Sequence, residues 1–240
     1  MVRYTFALRG PPKNESSDIV LEEKSIDIYN EEQLSEHFLC EINPYGQVPV
    51  LASPVLEKTI PDSLQITHHI ASLYPSLVPD SHEEQISSLL SDLHSLNYFS
   101  LSFSGKEHVA HGFKTAVQQR LNGNINDRYR TALNFKLDVI ERQKIAGLDP
   151  RTVEEMNQRA KALMQQFDSL LAESTPKERD NLSHHVTWLF GLPRPTALDA
   201  HLIVFIDRML KVGREEVVPE RLKSYAQRAM GQNEWKTLGP

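Results

Sequence analysis

Several groups of residues in this 240-residue chain have types and spacing that could do chemistry. The first is NPYGQVPVL at residues 43–51. Proline lacks the N–H that a sheet ladder needs, so Pro49 belongs at a strand's edge or start, and a cis Val48–Pro49 bond is expected. Val48 is then left with outward-facing N–H and C=O groups, which can pair with an extended peptide as an added strand. The second is PDSLQI at residues 61–66, where an acid and a serine fall at the start of a helix. A helix N-terminus and the Ser63 hydroxyl suit a carboxylate, and Asp62 suits an ammonium. An amino acid or γ-glutamyl group, with both charges on one carbon, satisfies that pair. The same two residues could instead serve only as the helix cap.

The other candidates are weaker. Tyr98, Phe99 and Phe103 lie close together on an apolar stripe with Leu93 and Leu96, and either belong to the core or line an apolar substrate pocket. Among ten histidines only His108 and His111 have the i, i+3 spacing that shares a helix face. The pairs His68–His69 and His184–His185 point in different directions, and no H-E-x-x-H arrangement exists, so no metal site is expected. Cys40 is the one cysteine, which excludes an intramolecular disulfide and reads as a small buried hydrophobe in a reducing, cytoplasmic setting. The formal net charge is -6 with Lys and Arg scattered, which gives phosphate backbones no electrostatic footing and excludes nucleic acid as a partner. The longest strongly apolar run is residues 202–206, too short to cross a membrane.

These groups need elements to position them. Tyr4, Phe6 and Leu8 alternate with Thr5 and Ala7, the period of a strand. Further strands are expected at residues 25–29, 48–51 and 55–60, with helices at 17–24, 31–42 and 63–74. Strand, helix, strand, helix, strand, strand, helix is a thioredoxin-type order. PSLVPDSHEE, residues 75–84, has two prolines and no hydrophobic period, and reads as a linker. Helical periodicity fills the remainder. Ile86, Leu89, Leu90, Leu93 and Leu96 mark one helix, and Leu133, Leu137 and Ile140 another. Val153, Met156, Ala160, Leu163, Phe167, Leu170 and Leu171 mark a third. Leu198, Leu202, Phe205, Ile206 and Met209 mark a buried one, opened by the T-x-x-D capping box of Thr196 and Asp199. The expected class is α/β plus all-α: an N-terminal thioredoxin-like domain at 1–76, a linker at 77–84 and an all-helical domain at 85–240.

In this order, SEHFLCEINPYGQVPVL, PDSLQITHHIASLYPSL and PTALDAHL resemble the glutathione transferase superfamily over nearly the whole chain. By that resemblance Val48, beside Pro49, pairs by backbone with the cysteinyl unit of glutathione. Asp62 and Ser63 hold its γ-glutamyl end, Gln47 adds a polar contact, and Tyr98, Phe99 and Phe103 flank the pocket of a small apolar electrophile. The capping box is structural in that family. A homodimer is implied, with glutathione as co-substrate and no metal, and the wording of the segments looks fungal, which implies detoxification or secondary metabolism.

The resemblance fails at one place. The superfamily usually activates the thiol with a Tyr, Ser or Cys just after the first strand, where a donor and a helix dipole favour thiolate. Here the segment reads RGPPKNESSDIVLEEKSID, with no hydroxyl at the aligned position near residues 11–13. Asn14 could donate an amide hydrogen bond, Ser16 or Ser17 a hydroxyl, or Lys13 a charge. Tyr4 belongs to the core of the first strand. Two functions stay open: an enzyme that conjugates glutathione to an electrophile, or isomerises it by adding and releasing the thiol, and a ligand-binding or regulatory protein of the same fold.

Overall fold

The computed structural model describes residues 1–174 and 187–238; the His184–His185 pair lies outside them. Ten α-helices run through the described residues: α1 (Val2–Ala7), α2 (Ser63–Leu73), α3 (Glu83–His94), α4 (Tyr98–Phe103), α5 (Glu107–Leu121), α6 (Asp127–Ile140), α7 (Pro150–Ser174), α8 (Ala197–Lys211), α9 (Glu220–Met230) and α10 (Asn233–Lys236). The chain divides into two compact units. One comprises Met1–Ile19, Thr67–Leu96 and Met156–Pro240, the other Val20–Ile66 and Asn97–Glu155. Each draws on both the part expected to be mixed and the part expected to be helical.

The first unit is built around α8. Ala197, Leu198, Leu202, Ile203, Phe205, Ile206 and Met209 are all inaccessible, and the helix packs against α1, α3 and α9. The expected capping box is present, with the Thr196 hydroxyl accepting from Asp199 N–H and the Asp199 carboxylate accepting from Thr196 N–H. Asp199 is fully buried and also accepts from Leu189 N–H (3.0 Å) and the Tyr225 hydroxyl. Burial pushes its carboxyl up, opposed by these hydrogen bonds. The second unit has its own core of Leu34, Leu39, Ala116, Val117, Tyr129, Leu133 and Ile140, where the Tyr129 hydroxyl donates to Leu34 C=O at 2.6 Å.

From residue 63 onward the helices expected from periodicity form, whereas before it the two expected helices are reduced to short turns and the expected strands to one bridge. The Tyr4–Leu8 alternation sits on α1, not on a strand. Tyr4, Thr5 and Leu8 are buried together, as i, i+1, i+4 positions of a helix are, and Leu8 N–H donates to Tyr4 C=O at 3.0 Å. Tyr4 meets Trp235 edge-on at 5.0 Å and Phe6 meets Tyr74 at 6.2 Å, so ring packing overrides the local period. At 25–29 Asp27 takes over the backbone: its carboxylate accepts from the N–H of Tyr29 and Asn30 and the Asn30 amide, closing a turn in place of a ladder. Between 48 and 60 the regular pairing is one antiparallel bridge, Leu51 with Ile60, at 2.9 and 2.8 Å. Ser53 turns the chain between them by accepting from Leu56 N–H.

The helix expected at 17–24 does not form: the 3-10 turn Glu15–Ser17 ends at its first residue, and beyond it the Tyr74 hydroxyl takes the Ile19 amide (2.9 Å) and donates to Asp18 (3.0 Å). Residues 31–42 give a 3-10 turn, Glu32–Leu34, and a π turn, Phe38–Ile42. The segment 75–84 is folded as two further 3-10 turns, Pro75–Leu77 and Asp80–His82, with Leu77 fully buried.

Candidate functional site

The Asn43–Pro49 segment is held by its own side chains. Asn43 is fully buried; its Oδ1 accepts from Tyr45 N–H (3.0 Å), its Nδ2 donates to Gln47 C=O (2.8 Å), and its C=O accepts from Gly46 N–H (2.9 Å). Gly46 has φ +57°, and a Cβ there would lie 3.0 Å from Leu39 and 3.1 Å from Lys136, so both backbone sign and space demand glycine. The buried Lys136 ammonium donates to Tyr45 C=O (2.6 Å) and Gly46 C=O (3.1 Å). Burial, with Lys144 as a lesser cause, lowers its pKa to about 8.

Within this frame Val48 stands exposed, at 45%. Neither its N–H nor its C=O makes a hydrogen bond among the described residues, and the Val48–Pro49 bond is cis. Gln47 is turned aside, its amide donating to Gln143 Oε1 at 3.1 Å.

Asp62 begins α2 and does serve as its cap: Oδ1 accepts from Leu64 N–H (2.9 Å) and Gln65 N–H (3.0 Å). The cap uses one oxygen. Oδ2 and the half-buried Ser63 hydroxyl have no partner among the described residues. Since Leu51 pairs antiparallel with Ile60, the residues before Leu51 and those after Ile60 leave the bridge on the same side, which brings Val48 and Asp62 to one end of it. A cleft of about 520 Å³ in the same unit is lined by Cys40, Pro44, Leu56, Lys58, Thr59 and Pro61, and by none of the expected binding residues. Cys40 is half-buried, and burial pushes its thiol up, away from reactivity.

Asn14, Ser16 and Ser17 are found together in the other unit, on the Glu15–Ser17 turn. Both serine hydroxyls donate to Asn14 Oδ1, at 2.7 and 2.8 Å. Their protons are therefore engaged, and the Asn14 amide N–H₂ is the donor without a partner among the described residues. A three-residue turn also supplies no extended helix dipole to a thiolate, contrary to the sequence expectation. Tyr4 is buried as expected, with burial pushing its hydroxyl up, but on a helix.

Tyr98, Phe99 and Phe103 fall on α4, which Asn97 caps by accepting from Phe99 and Ser100 N–H. Phe99 and Phe103 stack at 4.7 Å, and both are half-buried. The Tyr98 hydroxyl is enclosed, and burial pushes its pKa up. No motif pointed to Lys144, whose ammonium stands 4.3 Å from the Phe99 centroid and 4.8 Å from that of Phe113. Gln143 and Lys136 carried no signal either, since single polar residues on helical segments read as solvated. His108 and His111 are exposed on α5. Among the described residues no three His, Cys, Asp or Glu side chains gather as metal ligands, and no helix is long and apolar enough to cross a membrane.

No family model matches the sequence, and no curated protein does either. Solved structures do. A bacterial zeta-class maleylpyruvate isomerase in its holo form aligns over 98% of this chain and 88% of its own, with TM-score 0.53 and 16% identity. A glutathione S-transferase domain-containing protein from Marinobacter aquaeolei aligns over 98% and 93%, with TM-score 0.52 and 17% identity. The chain has the glutathione transferase fold. A glutathione transferase from Populus trichocarpa agrees, over 99% and 91%, with TM-score 0.50 and 14% identity. The thioredoxin-like plus all-helical class expected from the sequence is the class of this fold, here with one β-bridge as the regular pairing among the described residues.

Proposed function

We propose that the protein binds glutathione and uses its thiol on a small electrophile with an apolar body. The observation that carries this is Val48: an exposed residue beside Pro49 with both backbone groups unused, at the same end of the Leu51–Ile60 bridge as Asp62 and Ser63. A cysteinyl unit needs one backbone donor and one acceptor, which Val48 offers. A γ-glutamyl end needs an acceptor for its ammonium and donors for its carboxylate; the free Asp62 Oδ2 and the Ser63 hydroxyl meet that need. Gln47 and Pro49 complete the binding segment. Tyr98, Phe99 and Phe103 are proposed to face the electrophile, with the enclosed Tyr98 hydroxyl leaving Phe99 and Phe103 as the accessible surfaces.

Of the residues proposed for thiol activation, Asn14, Ser16 and Ser17, Asn14 is the one with a donor to spare, because Ser16 and Ser17 spend their protons on it. A single amide donor favours thiolate less than a donor backed by a helix dipole does. Either reaction, conjugation or an isomerisation in which the thiol adds and leaves again, then needs an electrophile that is itself activated; one structural neighbour bears an isomerase's name. The same weakness supports a second reading, a ligand-binding or regulatory protein. A homodimer, a cytoplasmic setting, a role in fungal detoxification or secondary metabolism, and a division at residues 77–84 belong to the proposal as its wider frame. The test pairs calorimetric titration of glutathione with the thiolate absorbance of the bound tripeptide against pH. Saturable binding with a lowered thiol pKa supports the enzyme, saturable binding with an ordinary thiol pKa supports a glutathione carrier, and no binding refutes the glutathione reading.

A further inference from the structure

Gln143 joins two parts of the second unit. Its side-chain oxygen accepts from Gln47, next to Val48, and its C=O accepts from the Asn97 amide at 3.0 Å, at the start of α4. The following residue is Lys144, on the π turn Glu141–Ile145. Its half-buried ammonium lies against the faces of Phe99 and Phe113, and Phe103 stacks on Phe99. The acids near this turn are engaged elsewhere: Glu141 pairs with Lys114 at 2.9 Å and Asp138 with Arg142. Lys144 has no carboxylate or hydrogen-bond acceptor among the described residues, and the cation it acts on is Lys136, whose own donors go to backbone C=O groups. Aromatic faces attract an ammonium, yet they replace only part of the hydration it gives up. A cation in this state, bordered by ring surface, is matched by an anion carried on a flat apolar body.

We propose that Lys144 selects the second substrate: a planar conjugated or aromatic molecule bearing a carboxylate, with its body against Phe99, Phe103 and Phe113 and its carboxylate on the Lys144 ammonium. This rests on the glutathione reading for the word substrate, but the anion site itself does not. Burial also lowers the pKa of Lys144, so the site holds a carboxylate only below the pH at which that lysine deprotonates.

The test uses the matched pair naphthalene-2-carboxylate and naphthalene-2-carboxamide, titrated calorimetrically into the full chain at neutral pH. The wild type should bind the carboxylate at least 10-fold more tightly than the amide. In Lys144→Met that preference should fall below 3-fold with amide affinity kept, and Lys144→Arg should restore it. Lys144→Gln stands in for the methionine variant if that one does not fold. An equal preference in wild type and Lys144→Met overturns the proposal, as does equal loss of both probes, which would make Lys144 a packing residue. Glutathione is titrated into the same variants. A parallel loss of glutathione affinity also overturns it, because Lys144 would then hold a carboxylate of the tripeptide. If glutathione fails to bind the wild type while the carboxylate preference depends on Lys144, the glutathione reading falls and the anion site stands.

Discussion

Replacing Asp199 by Asn keeps its volume and removes one oxygen and the charge. In the wild type Oδ1 accepts from Leu189 N–H (3.0 Å) and the Tyr225 hydroxyl, while Oδ2 accepts from Thr196 N–H (2.7 Å) and the Thr196 hydroxyl (2.6 Å). Whichever oxygen becomes NH₂, one hydroxyl can rotate to accept from it and one buried backbone N–H cannot. That orphan costs about 1–3 kcal/mol, and weakening the two remaining bonds from charged to neutral adds about 1–2 kcal/mol, so the variant should lose about 2–5 kcal/mol. Thr196→Ala removes only the hydroxyl half of the cap and should lose about 0.5–2 kcal/mol, and Thr196→Ser almost nothing. Urea unfolding followed by circular dichroism ranks the three. An Asp199→Asn variant that unfolds at the wild-type midpoint, or that keeps its midpoint yet loses turnover, would refute the assignment of this pair to structure.

Lys136 gives a pH signature of known sign. Its pKa is 10.5 unfolded and about 8 folded, so between those values the unfolded chain binds more protons and stability rises with pH. The gap of about 2.5 pH units corresponds to about 3 kcal/mol, present as a cost below pH 8 and relieved by pH 10.5. Lys136→Met should lack that rise in unfolding free energy, and parallel profiles would contradict the assigned burial. Asp62→Asn keeps a capping oxygen but not the charge, and by calorimetry should weaken glutathione about 10-fold, as loss of a charge-assisted bond worth about 1.5 kcal/mol does; unchanged affinity removes Asp62 from the site. Asn14→Ala should cut turnover about 100-fold with affinity for glutathione intact, exceeding Ser16→Ala, Ser17→Ala and the charge control Lys13→Ala in a steady-state conjugation assay. Full activity in all four would remove these side chains from thiol activation.

The parts of the fold legible in the sequence are those where pattern and packing agree. Thr196 and Asp199 announce α8, and its apolar residues recur at helical spacing because the whole element is enclosed. The Asn43–Pro49 segment is legible for a similar reason: Asn, Gly and Pro each have one conformational use there, and Gly46 and Asn43 take up those uses. Tyr4, Phe6 and Leu8 misled because five residues cannot distinguish an alternation from a helix turn; distant rings, Trp235 and Tyr74, decide the matter. Asp27 and Ser53 spend backbone groups locally at positions where the residue types favour strands. Lys136 and Lys144 were illegible, since nothing local separates a buried lysine from a solvated one. The rivalry among Asn14, Ser16 and Ser17 was equally illegible, because it turns on which atom accepts the hydroxyl protons.

The central claim, that glutathione pairs with the backbone of Val48, is tested most directly by following the Val48 amide in a ¹⁵N–¹H NMR titration of the full chain with glutathione. The account predicts a saturable downfield proton shift at Val48, as its free N–H gains an acceptor, with slowed amide exchange there and a smaller response at Leu64 and Gln65, whose N–H groups share Asp62. A Val48 amide that neither moves nor gains protection while glutathione binds elsewhere, or in the absence of binding at millimolar concentration, would contradict it.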